Sequence, residues 1–155
     1  MTKGYGTIAG RSGHAKEGIL YARAPINSRV GTEVTTNVTF KAGDVILGCW
    51  VSITTAEATG TTKTIDVGLD GTAGDDDPDG FLDGVSTATI ATVKGTLDSG
   101  GQTLGALMHV DESGAGVLVP EGHVVTSASP MTYTLGSAAT EIVGDICVVY
   151  FRPNV

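Results

Sequence analysis

Apolar and polar residues alternate along much of this chain, with the period of two that marks half-buried strands. Val34, Thr36, Val38 and Phe40 alternate with polar neighbours and predict a strand, which the turn Ala42-Gly43-Asp44 ends. Asp44 to Thr55 reads DVILGCWVSITT and is apolar on both sides. Strand periodicity puts Val45, Leu47, Cys49, Val51 and Ile53 on one face and Ile46, Gly48, Trp50 and Ser52 on the other. Such a strand is covered on both sides, or lays one side against another subunit. Ile46 and Trp50 are therefore the candidate subunit contacts. A loop over Ala56 to Thr62 precedes a strand from Thr64 to Leu69 with Ile65, Val67 and Leu69 on one face. Asp70 to Gly84 reads as an acidic, Gly-rich loop, and Val85 to Thr92 is weakly patterned. Short strands follow over Gly105 to Val110, Val117 to Val119, His123 to Ala128, Thr132 to Leu135 and Glu141 to Phe151.

Eight or nine short antiparallel strands with turn signals between them predict an all-β chain folded as a single β-sandwich of jelly-roll type. Residues 1–30 are Gly-rich, basic and without clear periodicity, so they read as an extended N-terminal arm ahead of a sandwich domain over 31–155. Composition agrees with the pattern. Gly is 23 of 155 residues, Thr 22 and Val 17, which excludes a coiled coil or helical bundle. No apolar run is long enough to span a membrane. The first residues, Met-Thr-Lys-Gly-Tyr-Gly, lack the apolar core of a signal peptide, and synthesis and use without export is expected.

Charge sharpens the division between arm and body. Lys3, Arg11, Lys16, Arg23 and Arg29 stand against Glu17 alone in the first 29 residues, whereas the rest carries four basic residues against sixteen acidic ones. An acidic body is a poor nucleic-acid binder. The five basic residues of the arm are candidate contacts to an acidic partner surface.

Catalytic and metal signatures are sparse. There is no GxSxG elbow, HExxH or P-loop, and His14, His109 and His123 have no metal-ligand spacing. Cys49 and Cys147 each sit in an apolar run as small hydrophobes, and a bond between them requires neighbouring strands. Asp75, Asp77 and Asp79 take positions 1, 3 and 5 of a calcium loop, with Gly80 at position 6 and Asp83 at position 9. Position 12 is Ser86 where calcium needs a bidentate carboxylate, so an empty acidic turn is favoured over a weak calcium site. No cofactor is expected.

Three stretches, VILGCWVSITTAEATGTTKTIDVGL, DPDGFLDGVSTAT and TYTLGSAATEIVGDICVVYF, resemble phage head-decoration (cement) proteins of the jelly-roll type. The resemblance runs over roughly residues 30–152, and the basic arm is its least similar part. It implies a non-enzymatic structural virion protein, made in the host cytoplasm. It also implies a homotrimer bound to the major capsid protein on the outer surface of an icosahedral shell. The alternative is a receptor- or carbohydrate-binding sandwich module of a fibre or spike. With eight aromatic residues in all, the chain is poorly supplied for a sugar-stacking platform.

Overall fold

The computed structural model describes residues 18–27, 31–72, 74–96, 103–110, 117–118, 122–137, 139 and 141–153. Eleven strands are defined among them. They are β1 (Gly18–Pro25), β2 (Val34–Phe40), β3 (Val45–Thr55), β4 (Thr64–Leu69), β5 (Asp77–Ser86), β6 (Thr92–Lys94), β7 (His109–Val110), β8 (Val117–Leu118), β9 (His123–Val124), β10 (Ser129–Leu135) and β11 (Val143–Arg152). A single 3-10 turn spans Ala106–Met108.

One sheet, here sheet A, has the order β1-β11-β3-β6, with β9 also paired to β3. The second, sheet B, has the order β2-β10-β4-β5, and β7 and β8 pair as a separate two-stranded ribbon. The pairs β1–β11, β2–β10, β3–β6 and β4–β5 nest inside one another like the rungs of one long hairpin. Rolling that hairpin sends its successive rungs alternately to two sheets, which is jelly-roll connectivity. The chain is thus an all-β sandwich of two antiparallel sheets.

The core lies between the sheets and follows the alternation. Ile65, Val67 and Leu69 of β4 and Met131, Tyr133 and Leu135 of β10 face inward and are buried. Opposite them lie Val51 and Ile53 of β3 and Ile146 and Val148 of β11. Phe40 of sheet B bridges the layers, edge-on to Phe81 at 6.4 Å and to Tyr150 of sheet A at 5.2 Å.

Two segments depart from the sequence-based expectation. Residues 18–25, assigned above to the arm, form β1, which pairs with β11 along its whole length from Gly18–Arg152 to Pro25–Asp145. Ala24 and Ile26 anchor this end in the core. The second half of the acidic loop is a strand, β5. Phe81, Leu82 and Val85 are its buried apolar side chains, and they outweigh the turn-forming Pro and Gly around them. Its register shifts and its place at the edge of sheet B accommodate Pro78, which has no ladder donor. Gly68 on β4 allows the close approach, because a Cβ there would meet the Asp77 carbonyl oxygen at 1.9 Å.

Buried carboxylates fasten the loops. Glu57 is 2% exposed; its Oε1 accepts from Thr59 N, Thr59 Oγ1 and Gly60 N, and its Oε2 from Glu141 N and Ile142 N. Burial pushes this carboxyl up, but the hydrogen bonds from Thr59, Gly60 and Glu141 outweigh it and hold the pKa at about 2. Asp44 accepts Arg152 Nε at 2.7 Å and Nη2 at 2.5 Å, tying the turn before β3 to the end of β11.

Candidate functional site

The outer face of sheet A is set by an irregularity in β3. Val149 pairs with Gly48 and Tyr150 with Ile46, so Leu47 is an extra residue on the β3 side of the ladder. A bulge of this kind reverses the facing of everything before it. Ile46 therefore joins Cys49, Val51 and Ile53 in the core at 0% exposure, while Leu47 turns outward. The expected pairing of Ile46 with Trp50 on a subunit contact is corrected accordingly. Ile46 is a core residue, and Leu47 accompanies Trp50 on the outside.

Residues directly opposite in a ladder point to the same face, so the registers map that face. One row crosses four strands as Ile19, Phe151, Val45 and Val124. The next runs Tyr21, Val149 and Gly48, and a third runs Arg23, Cys147, Trp50 and Lys94. Ile19, Tyr21, Leu47, Val124 and Phe151 are all exposed. The Tyr21 ring lies 6.0 Å from that of Trp50, and its hydroxyl donates to Cys147 Sγ at 2.9 Å. Beside them opens a cleft of about 330 Å³, lined in part by Leu47, Gly48, Trp50, Leu104, Met108 and Val149, with Lys94 on its lining as well.

Cys147 faces outward on β11 and Cys49 inward on β3. Their strands are neighbours, but the thiols are on opposite faces and both are free. Burial raises the Cys49 thiol above its ordinary range, so it stays protonated.

The outer face of sheet B is of another kind. Thr35, Asn37 and Thr39 of β2 are exposed, and Asp66 of β4 is half-buried beside β5. Asp79 and Asp83 stand exposed on β5. Burial raises the Asp66 carboxyl; the Gly84 amide partly offsets this, and Asp83 and Asp79 add to the rise. Asp77 is pushed up to about 6, first by burial and then by its hydrogen bond and charge contact with Asp79.

The four carboxylates of the calcium spacing do not converge. Asp75 is 0% exposed and turned inward. Its Oδ1 lies 3.0 Å from His123 Nε2, and its Oδ2 accepts from Thr126 N, Thr126 Oγ1 and Ser127 N. Burial raises this carboxyl, and the bonds from Thr126, Ser127 and His123 more than reverse the effect. Asp77, Asp79 and Asp83 belong to β5. No cluster of three or more His, Cys, Asp or Glu side chains suited to a metal occurs among the described residues.

Of the basic contacts expected in the arm, Arg23 lies on β1, where it is ion-paired with Asp145. Lys3, Arg11, Lys16 and Arg29 lie outside the described residues. Sequence reasoning singled out Trp50 but missed Leu47, Phe151 and Val124 as its companions. A signal existed in β1, where Ile19, Tyr21 and Arg23 alternate with Leu20 and Ala22.

No protein-family model and no curated protein sequence matches this chain. Among solved structures, it is similar to a chain of the acidic stable capsid structure of Helicobacter pylori bacteriophage KHP30, with 14% identity and a TM-score of 0.48 over 87% of this chain and 88% of that one. It is likewise similar to a chain of the cyanophage Pam1 capsid asymmetric unit, with 14% identity and a TM-score of 0.48 over 99% of this chain and 98% of that one.

Proposed function

We propose that this protein is a structural component of a phage virion, binding the outside of an icosahedral capsid as a trimer and stabilising the shell. The observation that carries the reading is the one-sidedness of the sandwich. Its sheet A presents an apolar row four strands wide, whereas its sheet B presents Thr, Asn and Asp. Contiguous exposed apolar surface of this kind marks a contact with another protein. An acidic, hydroxyl-rich face suits solvent on the other side. The three stretches that resemble head-decoration proteins supply the identity of the assembly, and they fall on β3–β4, β5 and β10–β11. In this reading the major capsid protein is the partner, and the role needs neither a cofactor nor catalysis.

The basic contact to the shell rests on the sequence charge of Lys3, Arg11 and Lys16 ahead of β1 and of Arg29 after it. Arg23 has its counter-charge in Asp145 within the molecule. The test mixes purified protein with capsids that lack it. Addition at a fixed stoichiometry, with a higher temperature of particle disruption, is the expected result; capsids that remain bare overturn the reading. Deleting residues 2–17 spares β1 and is expected to weaken capsid addition strongly while leaving self-association intact.

A further inference from the structure

We propose that the free edge of β1 takes in an extended segment of a partner protein as an added strand, apolar at alternate positions and acidic at its ends. The proposal rests on the reading that this protein binds a capsid, and it names the kind of segment bound.

β1 is an edge of sheet A, and its register fixes which backbone groups it leaves over. Ile26 N donates to Gly144 O at 3.0 Å, and this pair continues the register that sets Pro25 opposite Asp145. Residues of an antiparallel pair alternate between exchanging two bonds and exchanging none. Counting back by twos, Ala24, Ala22, Leu20 and Gly18 bond to β11. Ile19, Tyr21 and Arg23 then aim their N–H and C=O groups away from the sheet. Pro25 falls in the same set, where its missing N–H costs no bond. No described residue bonds to the outward groups of Ile19, Tyr21 and Arg23. Ile19 is 73% exposed and Tyr21 55%, so this edge is open.

Native proteins blunt such edges, because a free edge templates pairing with another chain. The other edges of this sandwich are blunted. β5 has register shifts, carries Pro78 and is covered, with Asp83 N donating to Thr103 O at 3.0 Å and Gly105 N to Phe81 O at 3.1 Å. β2 has a register shift, and Thr36 Oγ1 accepts the Val38 N–H. β6 and β9 have three and two residues. β1 runs eight residues against β11 with no register shift, and its proline stands at the last position. A long, regular edge with free donors and acceptors is the geometry of strand addition.

Side chains and charge define the occupant. Ile19 and Tyr21 stand on the outer face, at the head of rows that continue to Phe151 and Val149. An added strand sets its own alternate residues beside them, and apolar ones extend those rows. Lys16 lies two residues before Gly18 and Arg29 four after Pro25, within about 7 and 14 Å of the strand by chain length. Residues 1–29 carry five basic residues against Glu17, so the ends of this edge favour an acidic segment. A second copy of this chain fits poorly. Among the described residues the comparable edge it offers is its own β1, and that pairing sets basic segment against basic segment.

The test uses the full chain. Tyr21→Pro removes one outward N–H and no bond to β11; Tyr21→Val keeps that N–H and changes the side chain. Tyr21→Pro is expected to melt close to the native protein and to add to capsids at least about tenfold more weakly, because a carbonyl of the added strand loses its donor. Tyr21→Val is expected to stay within about threefold of the native chain. Equal addition by Tyr21→Pro and the native chain, or equal weakening by both variants, overturns the inference and leaves the proposed function standing. A Tyr21→Pro chain that melts far lower contradicts the outward aim of that N–H and overturns it too. A second arm needs no capsid. An octapeptide with valine at alternate positions and a glutamate at each end is titrated into the native chain to millimolar concentration. Hydrogen exchange by NMR is expected to slow at the Ile19, Tyr21 and Arg23 amides, and to slow less with a lysine at each end. Unchanged exchange at these three amides, or an equal effect of the lysine peptide, overturns the inference. Slowed exchange with the glutamate peptide, beside capsids that stay bare, supports this inference and overturns the proposed function.

Discussion

The two sheets of the sandwich share one core and part company on their outer faces. In sheet B the clearest alternation is that of the edge strand β2. β2 reads VTTNVTF and buries every second residue progressively, so its outer positions are Thr and Asn. In sheet A the long strands β3 and β11 carry VILGCWV and ICVVYF, apolar at successive positions. Because β11 and β3 are neighbours and β1 flanks them, their surplus apolar residues fall in register and make one continuous surface. Hydrophobicity beyond what a core can use is thus gathered on one side, where a single partner can cover it.

The sharpest way to break this comparison is a pair of substitutions one residue apart. Ile46→Ala empties a fully buried site and is expected to destabilise the chain by about 2–5 kcal/mol. Leu47→Ala, on the other side of the bulge, is expected to leave monomer stability within about 0.5 kcal/mol and to weaken self-association instead. Urea denaturation and sedimentation read the two effects separately. Equal destabilisation by both would mean that the bulge is misplaced.

That bulge marks the limit of what the sequence discloses. The alternation of Val34 to Phe40 and of Ile65, Val67 and Leu69 locates β2 and β4, and the apolar runs locate β3 and β11. One inserted residue in β3, invisible to a count by twos, reverses the facing of Val45 and Ile46. β1 is hidden for a different reason. Its Gly-rich, basic surroundings look like tail, and only the pairing with β11 gives Ile19 and Tyr21 a structural context. In the acidic segment the spacing of Asp75, Asp77, Asp79 and Asp83 suggests a common centre. The burial of Phe81 and Leu82 instead stretches the chain into β5, and His123, Thr126 and Ser127 take Asp75. Partners from remote positions decide such cases, and local spacing does not contain them.

A second contrast sets the buried acid Glu57 against the exposed acids of sheet B. Glu57→Gln would turn an amide donor toward backbone N–H groups that now donate to the carboxylate, with an expected loss of about 2 kcal/mol. Asp83→Asn on sheet B is expected to change stability by less than about 0.5 kcal/mol. Thermal melts of both variants at neutral pH check this.

Acid should separate the same two groups of carboxylates. The folded pKa of Asp77 is raised to about 6, so its ionised form opposes folding and stability rises as pH falls through that value. Glu57 has a lowered folded pKa of about 2 against an ordinary 4.5, so its contribution is full above 4.5 and is lost as pH falls toward 2. Asp44 and Asp75, also lowered, act in the same direction as Glu57. A melting temperature that peaks by a few degrees near pH 5 is expected, and Asp79→Asn should reduce the rise between pH 7 and 5, with burial of Asp77 sustaining the remainder. A melting temperature that falls steadily from pH 7 would refute the assignment.

The smallest expected effect concerns Thr132, which pairs with Thr35 and Gly68 in sheet B. Its buried Oγ1 has no hydrogen-bond partner among the described residues. Thr132→Val removes that hydroxyl at nearly constant shape and is expected to be neutral or to stabilise by up to about 1 kcal/mol.

Trp50 is the single tryptophan of the chain and lies on the outer face of sheet A, so its fluorescence reports that face alone. Emission and acrylamide quenching of the native protein, followed from nanomolar to high micromolar concentration and then on added capsids, test the claim that this face is the contact surface. A blue shift with loss of quenching as the chain associates is the predicted result. Emission that stays red-shifted and fully quenchable in the assembled and capsid-bound states would contradict it.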